Sequence, residues 1–187
     1  FAGSKRHVME NMFTSPSKPF YQSSITMGLN PIPLDTYCQF AARMFKLGER
    51  SIEEDVVRSV YEDYNGCTWF MQMMMNELFA LTPMREKCVK SMLPQAKRGI
   101  ILSQEQTYKE TLSQMAPRQK MLLQAIARDK EARNITSQEF ISRHSLPSAS
   151  SVQSAAKGLL SSDIITKDDD AYRIYDYFFS EWLAKVY

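Results

Sequence analysis

The stretch "IITKDDDAYRIYD" constrains this chain more than any other part of it. Two short runs rich in β-formers flank a polar turn, and Asp169 and Asp170 at its tip are the residue types a tight hairpin turn favours. The hairpin follows three helical segments. "APRQKMLLQAIARD" is amphipathic and opened by Pro117 in its first turn, "TSQEFISRHSL" is short and capped by Thr136 or Ser137, and "SASSVQSAAKGLLSSD" is the third. The linker "HSLPSAS" makes the second and third a helix-turn-helix. In the closing "YDYFFSEWLAKVY", Phe178, Phe179, Trp182 and Leu183 share one face, which predicts a terminal helix packed on the same unit.

Three helices and then a hairpin are the parts of a winged helix, so the chain is read as mainly α with a small β component. Such a unit can place its third helix in the major groove of DNA. The first turns of that helix offer Ser148, Ser150, Ser151, Gln153 and Ser154 as hydrogen-bonding groups, with Lys157 as its single cation. Charge weighs against tight DNA binding: residues 113–187 hold ten Lys or Arg against nine Asp or Glu, and the wing tip is acidic. Protein docking is the competing use of the same surface. Ser150, Ser151, Gln153, Ser154 and Lys157 are therefore the candidate contacts for DNA, bound weakly, or for a protein partner.

Upstream the chain is helical and punctuated by Pro and Gly. "FYQSSITMGLNPIP" favours a strand through Tyr21, Ile25 and Met27, ended by Pro31 and Pro33. "LDTYCQFAARMFKLG" reads as a helix with Asp35 as its cap and Gly48 as its stop; "SIEEDVVRSVYEDYNG" starts with a capping box, Ser51 and Glu54, and ends at Gly66. "TWFMQMMMNELFAL" completes a three-helix bundle. A more polar helical stretch from about Met84 to Met115, interrupted near Pro94 and Gly99, reads as a partly exposed connector. Met71, Met73, Met74 and Met75 are expected as core filler, since no matched Cys or His accompanies them.

A length of 187 residues suits two small domains, and 44% apolar with 24% charged residues suits a globular protein. The net charge of +2 selects no partner. Cys38, Cys67 and Cys88 are odd in number and widely spaced, which fits a reducing cytoplasm; no signal peptide or membrane-spanning run is present in these residues. His7 and His144 lack partners at metal-ligand spacing, Glu53, Glu54 and Asp55 fit the polarity of a helix start, and Cys88 has no local His to activate it. No metal site and no independent catalytic constellation is expected.

The opening "FAGSKRHVMENMF" reads as the end of an apolar strand, a Gly-Ser turn and a helix, so the chain is expected to be part of a longer protein. That opening, with "KPFYQSSITMGLNPIP", "YNGCTWFMQMMMNEL", "LPSASSVQSAAKGLL" and "YDYFFSEWL", resembles the C-terminal half of the archaeal-type AAA+ ATPases, relatives of the STAND NTPases that also occur in bacteria. The resemblance covers essentially the whole chain. It implies a remnant of the ATPase core at 1–33, a helical lid at 34–82, a helical connector at 83–112 and a winged helix at 113–187.

By the same resemblance, Ser4 ends a sensor strand near the γ-phosphate and Arg6 adds charge there; Ser4 can also be read simply as a helix cap. Gly66, Cys67 and Thr68 align with a lid motif that is Gly-His-Pro in relatives, so Cys67 and Thr68 depart from it. A cap-to-cap junction is the plainer reading of the same three residues. The resemblance implies ATP and Mg as cofactors of the full-length protein and a nucleotide-binding core as partner. These residues contain no GxxxxGK[ST] loop and no apolar strand ending in paired acids, so the chain alone is expected to bind no cofactor and hydrolyse no ATP. The expected function is to couple nucleotide state to a partner. The alternative is a stand-alone winged-helix transcriptional regulator with a helical oligomerisation or effector domain.

Overall fold

The computed structural model describes residues 12–13, 16–23, 27 and 29–186. Its first long helix, α1 (Leu34–Leu47), buries Tyr37, Ala41 and Phe45, one residue per turn along a single stripe. A two-residue strand β1 (Ser51–Ile52) leads into α2 (Glu54–Asp63), which buries Val56, Val57 and Val60. Helix α3 (Thr68–Leu81) buries Phe70, Met71, Met74, Met75 and Leu78, so the methionine-rich run is core, as expected.

The termini of these helices differ from the sequence expectations in four places. Asp35 lies inside the first turn of α1, whose N-cap is Pro33. The helix does stop at Gly48, but with φ −93° the glycine is not the left-handed residue. That role falls to Glu49 (φ 56°), and the amide of Arg50 reaches back to the Phe45 carbonyl at 2.9 Å, as in a Schellman turn. Gly48 is small for another reason: a Cβ there would lie 2.3 Å from the Phe79 ring. The capping box does not form. Ser51 is drawn into a parallel pairing with β2 (Lys87–Cys88), its amide bonded to the Glu86 carbonyl at 3.0 Å, and Glu53 becomes the N-cap of α2. In the cap-to-cap junction Cys67 is the N-cap of α3, and it makes no side-chain capping bond. The strand expected at Tyr21, Ile25 and Met27 is also absent where it is described: Tyr21 lies in a turn, its amide bonded to the Lys18 carbonyl at 3.1 Å, and Met27 is irregular. Ile25 lies outside the described residues.

After a 3-10 turn at Lys90–Met92, α4 runs unbroken from Leu93 to Ser113. Pro94 sits in its first turn, where a missing amide proton costs nothing, and Gly99 is accommodated inside the helix. The expected interruption is absent, and the helix has one buried face and one exposed face. Ala96, Ile100, Ile101, Tyr108 and Leu112 are buried, and the helix packs on α3 and on the last helix of the chain.

The C-terminal unit follows the expected order. It comprises α5 (Pro117–Asp129), a short strand β3 (Ala132–Arg133), α6 (Gln138–Arg143), α7 (Ala149–Ser161), strands β4 (Ile165–Asp168) and β5 (Ala171–Ile174), and α8 (Tyr177–Val186). The three strands form an antiparallel sheet in the order β3-β5-β4, with Asp168 opposite Ala171. Asp169 (φ 45°) and Asp170 (φ 65°) form the two-residue turn; both central residues at positive φ is the geometry that matches the twist of a hairpin. Strand β3 had no legible sequence signal. It is held by Glu131, which binds both Arg133 (2.7 Å) and Arg173. Those bonds, the one to Arg173 first, hold the Glu131 carboxyl below its usual range. Ser137 caps α6, accepting from the Phe140 amide, and Ser148 caps α7, accepting from the Ser151 amide.

Phe178, Phe179, Trp182 and Leu183 of α8 are all buried, each contributing roughly 1.5–3 kcal/mol of apolar burial. Through α4 and α8 the buried residues of the bundle and of the winged helix merge into one apolar cluster. No described helix is long and apolar enough to cross a membrane.

Candidate functional site

The turn between α2 and α3 is built by "YNGC". Asn65 (φ 49°) and Gly66 (φ 68°) are both left-handed, and the Gly66 amide donates to the Tyr61 carbonyl at 2.9 Å. Gly66 is required twice over: L side chains resist this φ, and a Cβ would lie 2.8 Å from Cβ of Pro31 and 2.9 Å from the Tyr61 ring. The Tyr61 hydroxyl in turn donates to the Ile32 carbonyl at 2.9 Å, fixing the chain that enters α1 against the turn. Cys67 is half-buried and Thr68 exposed. The three residues of the expected lid motif are thus contiguous on one sharply folded turn, and the glycine has the positive φ expected of a helix stop.

This turn is joined directly to the winged helix. Nδ2 of Asn65 donates to the Tyr177 hydroxyl at 3.0 Å. Behind it, the buried Tyr64 ring meets Tyr177 edge-on at 5.4 Å and Phe178 at 5.2 Å, and Phe70 meets Tyr177 at 5.0 Å. Burial pushes the Tyr64 hydroxyl pKa well up. Lys97 of α4 closes the junction: its ammonium lies 3.3 Å from Asp63 at the end of α2 and 2.8 Å from Glu181 of α8. At the start of α8, Asp176 accepts from the amides of Phe178 (2.8 Å) and Phe179 (3.0 Å) and lies 3.4 Å from the Tyr108 hydroxyl. Burial raises its carboxyl pKa, against the lowering effect of those donors. Since Asp176 follows β5 by two residues, the wing strand runs straight into the helix that touches the α2–α3 turn. Sequence reading missed Asn65, Lys97, Asp176 and Tyr177 as a group, because they are brought together only by α4 and α8 crossing the bundle.

A second feature lies on the winged helix. Ser150, Gln153, Ser154 and Lys157 of α7 line one side of an open groove of about 810 Å³, and Asn134, Thr136 and Tyr172 line the other. Four of the five expected contact residues therefore share one surface. Ser151 does not: it is engaged with Ser148 in the capping network, hydroxyl to hydroxyl at 3.1 Å. Lys167 and Asp170 also line the groove, the ammonium of the first bound to the carboxylate of the second at 2.6 Å. Among the described residues Lys157 makes no ion pair, and no group of three metal-ligating side chains is present. Burial pushes the Cys38 and Cys88 thiols up, away from the nucleophilic thiolate. Ser4 and Arg6 lie outside the described residues.

Comparison with known proteins agrees with this architecture. The family described as "Probable winged helix domain" matches residues 106–185. No curated protein matches the chain. Among solved structures, the chain is similar to a Walker-type ATPase of Pyrococcus abyssi, with a TM-score of 0.60 and 17% identity, over 91% of this chain and 47% of that one. The chain thus has the fold of a portion of that ATPase and spans about half its length.

Proposed function

We propose that this chain is the lid and winged-helix portion of an archaeal-type AAA+ or STAND-related P-loop ATPase, and that it conveys nucleotide state to a partner. The observation that carries the reading is the direct seam between lid turn and winged helix, in which Asn65 bonds to Tyr177 beside Gly66. A turn positioned against a nucleotide and packed on α8 cannot move without displacing α8 and, through Asp176, strand β5. The shared apolar cluster supports the same lever action, because close-packed interfaces shift as units. Likeness in fold to a Walker-type ATPase supports a P-loop core as the other half of the machine.

In that machine ATP and Mg are bound by the core. Gly66, Cys67 and Thr68 would face the nucleotide from the lid, and Ser4 and Arg6 would supply a hydroxyl and a positive charge near its phosphates. The chain by itself supplies no turnover. The regulator reading is weaker, because the unit's near-neutral charge offers little for a phosphate backbone.

Hydrogen exchange on a polypeptide joining these residues to a P-loop core tests the coupling. Amides of 64–67 and 177–179 should change protection together between nucleotide-free and ATP-analogue states, and Asn65→Ala should weaken the response at 177–179. Protection at both places that is indifferent to nucleotide would refute it.

A further inference from the structure

We propose that the groove between α7 and the wing is a docking site for an extended, acidic segment of a partner protein. The inference deepens the coupling reading by giving its partner a place and a chemistry. The groove is open to solvent and holds about 810 Å³. Its lining is suited to a peptide backbone: the amides of Asn134 and Gln153 each offer donors and an acceptor, and the hydroxyls of Thr136 and Ser154 do both, which matches alternating N–H and C=O groups. The half-buried ring of Tyr172 supplies an apolar wall.

Charge selects the ligand. Lys157 is exposed and has no acidic partner among the described residues, whereas Lys167 is already neutralised by Asp170. The charged groups lining the groove are Lys157, Lys167 and Asp170; the last two pair with each other, so the net charge of the lining comes from Lys157, and one such cation matches a single carboxylate. It does not recognise a duplex, which carries a negative charge about every 1.7 Å of its axis and would bring phosphates against the wing tip, where Asp168 and Asp169 remain exposed. An acidic segment lying along α7 meets Lys157, and on the wing side it meets Asp170 only as the ion-pair partner of Lys167.

The test is a selection on the purified chain from a positional-scanning library of extended hexapeptides, followed by fluorescence anisotropy of the best sequence at about 150 mM salt, where surface charges are screened beyond about 8 Å. Peptides with Asp or Glu at one fixed position should be enriched. Lys157→Glu should weaken the selected peptide by about tenfold or more and shift the library preference to Lys or Arg, while Lys185→Glu, a charge change of equal size on α8, should not. Amide shifts of the unaltered chain on adding that peptide should centre on 134, 153, 154 and 157, a readout that does not depend on any variant folding. No acidic enrichment, an affinity unmoved by Lys157→Glu, shifts centred elsewhere, or a mixed-sequence DNA duplex bound more tightly than the peptide would each overturn the proposal. Nucleotide plays no part in these measurements, so the site and the ATPase reading stand or fall separately.

Discussion

Replacing Lys97 by Met tests whether the helical bundle and the winged helix are held as one body. The ammonium sits between Glu181 at 2.8 Å and Asp63 at 3.3 Å, with the Lys97 side chain 21% exposed, Glu181 33% and Asp63 53%. It also lies over the Tyr64 ring, 5.7 Å from its centre. Burial alone would lower the lysine pKa, but the two carboxylates outweigh it and hold it above its usual value. A raised lysine pKa contributes stability that is complete below the unfolded value of about 10.4 and is lost as pH rises through the folded one, so an assay at neutral pH sees all of it. The magnitude lies between two limits. Exposed pairs contribute about 0–1 kcal/mol, and breaking a buried pair costs about 3–5 kcal/mol. Both acids can rehydrate once the lysine is gone, and Met keeps the apolar stem in place, so Lys97→Met should cost about 1–2 kcal/mol. Most of it should be coupling to the closer and less exposed Glu181. Urea denaturation of Lys97→Met, Glu181→Gln and the double variant should return a coupling of about 1 kcal/mol that shrinks in about 1 M salt. A coupling of zero, with each single variant as stable as the original, would refute the view that this triad clamps the seam.

Two other substitutions probe the same seam. Asp176 has a raised folded pKa, so its ionised form costs stability as pH climbs from the ordinary aspartate value of about 3.9 through the raised one; Asp176→Asn keeps an acceptor for Phe178 and Phe179 and should equal or exceed the original at pH 7, while the original gains on it below about pH 4. In the same denaturation assay Asp176→Ala should lose about 1 kcal/mol with the cap, and an Asn variant clearly weaker than the original at pH 7 would contradict the argument. Gly66→Ala must hold φ near 68° and fit a Cβ beside Pro31 and Tyr61, so thermal melts should show a loss of at least about 1–2 kcal/mol. Gly66→Asn tolerates the φ but not the crowding and should also lose stability; full stability of the Asn variant would mean that backbone conformation alone demands the glycine.

The sequence by itself determined the parts and their order. Apolar spacing placed the helices and put Phe178, Phe179, Trp182 and Leu183 on one buried face, and turn chemistry put Asp169 and Asp170 at the wing tip, because these are local properties of dihedral preference and periodicity. The same locality explains the failures. Ser51 and Glu54 satisfy a capping pattern, yet the amide of Ser51 pairs with Glu86 from another part of the chain. Gly48 marks a helix stop, but packing against Phe79 is what excludes a side chain there. The seam was invisible for the same reason: Lys97 looks like one more charge in a polar helix until α2 and α8 bring Asp63 and Glu181 to it. Of the groove, the sequence marked the α7 side, while Asn134, Thr136 and Tyr172, which also line it, are brought there by the tertiary fold. Local chain chemistry fixes which element each residue enters; which elements meet is fixed by burying their apolar faces together, and that depends on residues far apart in sequence.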